Sequence, residues 1–175
     1  MSRILDIAQL GNPILREIAK DIENIDDQII PLSENMIFTI KNVNGVGLAA
    51  PQVYESRSLF VMASRPNERY PDAPAMEPTV IINPKLLACS EETVKEWEGC
   101  LSIPGIRGLI PRHIEIEAEY TTIDNKTVKT IFRDFTARIF QHEYDHLKGT
   151  VFLDRVESNR EIISETEYQK LISSK

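Results

Sequence analysis

The chain has 175 residues, 42% of them hydrophobic, with a formal net charge of -7. That length suits a single domain over 1–175, which can bury roughly 70% of the surface of its unfolded form. The acidic balance and the lack of a Lys/Arg cluster argue against nucleic acid as a direct ligand, two cysteines are too few for a secreted disulfide scaffold, and no run approaches the ~18 apolar residues of a membrane span.

Arg3 and Asp6 place charge where a signal peptide needs an apolar run. A cytoplasmic, reducing location is expected, although a processed organellar form would read the same way. Gly11-Asn12-Pro13 is a turn signal. Asp26 or Asp27 is placed to cap a helix over 26–43, with Ile29, Ile30, Leu32, Met36, Ile37 and Ile40 as its apolar stripe and Pro31 in its first turn. Residues 44–47 end it.

Residues 58–62 read as a strand, and the four prolines of 64–78 make that stretch a loop. A second strand over 79–82 is expected to stop at Asn83-Pro84, with a hairpin or meander over 84–98. The alternation of 114–120 predicts a half-buried strand, with a turn at 124–126 and a returning strand over 127–132. A helical pattern runs from 135 to 148, with Gly149 as its stop. Residues 157–173 read as a polar helix or tail. Strands in the middle with helices at both ends predict an α+β fold, its antiparallel sheets packed around the 135–148 helix.

That helix carries His142-Glu143-Tyr144-Asp145-His146, an H-E-x-x-H pattern. Residues four apart share a helix face, so His142 and His146 can bind one metal ion, with Glu143 beside it to take a proton from water. The same spacing also arises by chance on ordinary helices. A catalytic metal usually keeps a third protein ligand. Phe152 stands where a metzincin has its last histidine, so that class fails. Two candidates remain. Glu165 suits a thermolysin-like peptidase, but otherwise reads as a solvated tail charge. Cys100 offers a thiolate, but otherwise reads as a small buried hydrophobe. Cys89 is expected to be such a hydrophobe, and His113 is given no role.

Three segments resemble the signature motifs of peptide deformylases, in order: Gly45-Val46-Gly47-Leu48-Ala49-Ala50-Pro51-Gln52, Glu98-Gly99-Cys100-Leu101-Ser102, and residues 141–147. Weaker similarity extends from Leu10 through Arg112 to Arg155. The resemblance implies Cys100, His142 and His146 as metal ligands. The implied metal is Fe(II), replaceable by nickel, cobalt or zinc. It implies removal of the N-formyl group from the initiator methionine of new polypeptides, with Glu143 moving protons. The Gln52 amide and the Leu101 N–H are the implied oxyanion donors.

By the same resemblance, Gly45 and Gly47 let substrate approach the backbone, or else only make a turn. Main-chain atoms near Gly47 and Gly99 would hold the peptide as an added strand, and Ile139 and His142 would line the methionine pocket. Asp145 is expected to pair with Arg112 and orient the helix. Tyr54, Trp97 and the long 64–78 loop depart from the family pattern. N-formylmethionyl nascent peptides are the implied partners; a transient ribosome contact by the tail is a separate expectation that no motif carries. A general metallopeptidase using Glu165 and an inactive metal-binding relative are the competing readings.

Overall fold

The computed structural model describes residues 2–68 and 70–173. Helix α1, Ile29–Asn42, starts where the Asp26 carboxylate accepts the N–H groups of Gln28 and Ile29. Its buried face is Ile29, Ser33, Met36 and Ile40, the spacing of one helical stripe. Asn44, at φ 52°, turns the chain away. Strand β1, Gly47–Ala49, follows, then a 3-10 turn over Ala50–Val53 that carries Gln52.

Strands β2, Leu59–Met62, and β3, Thr79–Cys89, lead through strand β4, Thr93–Cys100, and strand β5, Ile103–His113, to strand β6, Glu115–Thr121, and strand β7, Thr127–Arg133. Helix α2, Asp134–Leu147, follows β7 directly. Strand β8, Ile162–Ser164, and helix α3, Glu165–Ser173, complete the order. Two sheets form, ordered β1-β2-β3-β6-β7 and β4-β5-β8, with every pairing antiparallel.

Helix α2 lies between the sheets, so the α+β expectation holds. Phe140 sits edge-on to Phe60 of β2, at 5.1 Å between centroids, and 5.2 Å from Phe132 of β7. Burying a ring of that size contributes about 1.5–3 kcal/mol. The opposite face of α2 turns its histidines to β4. The helix ends at Gly149, at φ 69°, where an added Cβ would lie 2.6 Å from the Arg16 carbonyl oxygen. Only glycine fits that combination.

Four expectations need correction. Strand β3 does not stop at Asn83-Pro84 but continues through it, with a register shift between Ile82 and Lys85. Asn83, at φ 47°, forms the irregularity, and its side-chain amide exchanges hydrogen bonds of 2.9 and 2.8 Å with the Ile22 backbone. A bulge also tolerates the missing N–H of Pro84. Residues 84–98 are not a hairpin: β3 pairs with β6, whereas β4 pairs with β5. The tail holds strand β8 as well as a helix. Cys89 is exposed rather than buried. Among the described residues, no helix is long and apolar enough to cross a membrane.

Candidate metal centre and active site

The edges β1 and β4 and the stretch of α2 from Phe135 to Glu143 enclose a pocket of about 40 Å³. It is lined by Gly45, Gly47, Gln52, Gly99, Cys100, Leu101, Ile139, His142 and Glu143. Nine of the ten predicted site residues are therefore brought to one pocket. The tenth, His146, lies one turn deeper: its Nε2 is 3.3 Å from Cys100 Sγ. One ligand atom from each of Cys100, His142 and His146 lies within 4.8 Å of the others, and all three residues are buried.

The donor chemistry fits a borderline metal, one thiolate with two imidazoles and an open side toward the pocket. His142 Nδ1 lies 2.9 Å from Glu98 Oε2, which leaves Nε2 for the cluster. A carboxylate behind a ligating histidine fixes its ring and tautomer. Burial alone would pull the His142 pKa down, but contacts with Cys100 and Glu98 raise it well above its ordinary value. A cation in this cluster would meet the same negative charge that holds that proton. His146 is driven the other way, by burial and by the positive charges of His142 and Arg112.

Glu98 is buried at the centre of a charged network. Burial alone would raise its pKa, but the charge of Arg112 and hydrogen bonds from His142 and Arg112 hold it far below the carboxylate range. Arg112 donates to it at 2.9 and 3.0 Å, and Arg138 at 2.8 Å. Arg112 also reaches Asp145 at 2.6 Å, the expected pair, and Arg155 closes on the far side of Asp145 at 2.7 Å. The network thus links β4, β5 and α2 immediately behind the Cys100, His142 and His146 cluster.

Gln52 is fixed in orientation. Its Oε1 accepts the Ala49 N–H at 2.8 Å, and its Nε2 faces Ser102 Oγ at 3.1 Å and Cys100 Sγ at 3.3 Å. Glu143 is buried, and its Oε2 has no hydrogen-bond partner among the described residues. Burial and the nearby charge of Glu98 push its pKa up to about 7, against the pull of His142 and Arg112. A carboxyl group near neutrality suits proton transfer.

Gly47 packs directly on this carboxylate: a Cβ there would lie 2.3 Å from Glu143 Oε1. Its close approach is therefore to Glu143. Gly47→Ala should force strand or carboxylate to move and cost about 1–3 kcal/mol as overpacking. Urea unfolding of the two proteins measures this, and an unchanged midpoint would refute it.

Glu165, the runner-up ligand, lies outside the cluster and pairs with buried Arg107 at 2.6 and 3.0 Å. The metallopeptidase reading thereby loses its third ligand. Sequence reasoning passed over Glu98 and Arg138 as supports. Both had a signal: Glu98 is two residues from Cys100 on a strand, and Arg138 is four before His142 on a helix. Tyr70, which also lines the pocket, gave no signal, because a proline-rich loop has no period to read.

The family model for polypeptide deformylase matches residues 4–161. Peptide deformylase 2 of a Nostoc species is 57% identical over 171 residues, 97% of this chain and 96% of that protein. Peptide deformylase 2 of Shewanella oneidensis is 45% identical over 151 residues, 86% of this chain and 83% of that protein. A class I type b peptide deformylase from Acinetobacter baumannii, solved with Met-Ala-Ser bound, superposes with a TM-score of 0.86 at 43% identity. That match covers 89% of this chain and all of the other.

Proposed function

The chain belongs to the polypeptide deformylase family and is a metal-dependent deformylase, and from that premise we propose how its own residues carry the reaction. The observation that carries the assignment is the buried Cys100, His142 and His146 cluster, with ligand atoms within 4.8 Å of one another. These three residues hold one divalent metal, Fe(II) by family likeness, with zinc, nickel or cobalt able to replace it. When bound, the metal supplies the Lewis acidity that lets water attack an amide carbon at neutral pH. Residues 1–175 act as one catalytic domain.

The substrate is the N-formylmethionyl end of a nascent polypeptide, and the products are formate and a free amine. Glu143 takes a proton from the attacking water and delivers it to the leaving nitrogen. Gln52 holds its carbonyl against Ala49, so its Nε2 faces the reacting centre. That amide and the Leu101 N–H donate to the oxyanion, a role in which one donor contributes roughly 10²–10³ in rate elsewhere.

Strands β1 and β4 are edges of their sheets, and both flank the pocket. An extended peptide entering between them adds a strand along Gly45 to Gly47 and Gly99. The Met-Ala-Ser bound to the Acinetobacter relative supports a ligand that begins with methionine. Its side chain enters beside Ile139. Action on nascent chains accords with a cytoplasmic location and a transient ribosome contact.

Anaerobically purified, metal-loaded protein should release formate from formyl-Met-Ala-Ser. Cys100→Ser should lose both metal and release. Fully metallated wild type that releases no formate would sink the reading. A Cys100→Ser protein that keeps its metal would remove Cys100 from the ligand set.

A further inference from the structure

Beside the active-site pocket of about 40 Å³ lies a second and larger space of about 590 Å³, open toward the surface. Tyr70, from the 64–78 loop, and Phe135, from the first turn of α2, line both. Their rings meet at 5.3 Å between centroids and stand between the two spaces. Beyond them the larger space is lined by Trp97, Tyr168 and Leu171 and by the charged Asp72, Lys95 and Glu96.

The Tyr70 ring is braced from three sides. Its hydroxyl faces the Gly99 N–H at 3.4 Å. The Arg107 guanidinium lies 5.0 Å from its centroid and 4.4 Å from that of Tyr168, within cation–π range of both. Arg107 is in turn clamped by Glu165 of α3. These contacts hold the ring against Phe135 at the boundary of the pocket.

We propose that the Tyr70–Phe135 ring pair sets the maximum length of the first side chain this enzyme accepts, by closing the methionine pocket off from the larger space beside it. The proposal rests on the deformylase reading, because it takes the apolar end of the pocket as the place where the first side chain enters. The wall gives a rule of length: a chain that ends at the rings fits, and a longer one meets them. Removing either ring joins the two spaces and gives a long chain room toward Trp97 and Leu171.

The test compares formyl-Met-Ala-Ser with formyl-2-aminodecanoyl-Ala-Ser, whose linear side chain overruns the pocket. Wild type should favour the methionine peptide. Phe135→Ala and Tyr70→Ala should each raise the ratio of kcat/KM, long substrate over methionine substrate, by roughly ten-fold or more, since one methylene in an apolar pocket is worth about 10–200-fold. Tyr70→Phe keeps the ring and removes only the hydroxyl, so it should leave that ratio where wild type has it. An unchanged ratio in both alanine variants overturns the proposal. So does a Tyr70→Phe shift as large as that of Tyr70→Ala, which would place the control in the Gly99 contact. Hydroxamates bearing the same two side chains, titrated calorimetrically onto metal-loaded proteins, give the ratio without turnover. Absent formate release therefore counts against the deformylase reading alone, while the binding ratio still decides the partition.

Discussion

Glu143→Ala, with metal content matched to wild type, is expected to release formate from formyl-Met-Ala-Ser about 10²–10⁴-fold more slowly, the usual contribution of a positioned general acid–base group. Three observations converge on this side chain. It lines the pocket one residue from His142 of the candidate metal cluster. Among the described residues its Oε2 is buried without a hydrogen-bond partner, which a protein tolerates where the atom awaits a proton or a substrate. The strand beside it carries Gly47, the residue that leaves room for the carboxylate. Glu143→Gln sharpens the test, because it keeps the shape and the contact with Gly47 while removing the proton acceptor. Both variants should lose rate to a similar degree in single-turnover measurements. A glutamine variant that turns over like wild type would show that Glu143 only fills space.

Much of this site was legible in the sequence because its spacing is local. His142 and His146 fall one helical turn apart, so any helix over 135–148 makes them neighbours, and α2 does so. The alternation of Ile116, Ala118 and Tyr120 likewise became the buried face of β6. What was not legible depends on contacts across the chain. Asn83-Pro84 reads locally as a stop, but the Asn83 amide binds the backbone of Ile22, 61 residues away, and the sheet runs on around the bulge. Strand β8 is three residues long and exists because it pairs with Ile106 to Gly108 of β5, which no local pattern announces. Arg107 and Glu165 look like two exposed charges in the sequence, and only the packing of α3 on β5 joins a buried Arg107 to a half-buried Glu165.

Glu98→Gln is expected to have the second large effect, on stability and metal retention together. The carboxylate is the shared acceptor for Arg112, Arg138 and His142, all buried. Removing its charge leaves two buried guanidinium groups undercompensated, and breaking a buried pair in this way costs about 3–5 kcal/mol. A glutamine also turns an N–H group toward neighbours that are themselves donors. His142 loses the acceptor that orients its ring, a change that typically costs 10–100-fold in metal affinity. Urea unfolding of the apo forms measures the first effect, and metal competition titrations the second.

The pH dependence has a definite sign. The Glu98 pKa is depressed on folding from its ordinary 4.5, so its ionised form adds stability above that pH and the contribution fades as pH falls below it. The stability gap between wild type and Glu98→Gln should therefore be full near neutrality and narrow progressively below about pH 4.5. Arg155 still holds Asp145 in the variant, so the far side of the network survives and the loss stays centred on the ligand helix. Equal stability and equal metal affinity in the two proteins would mean that Arg112 and Arg138 find other partners, and that His142 needs no carboxylate behind it to face the metal.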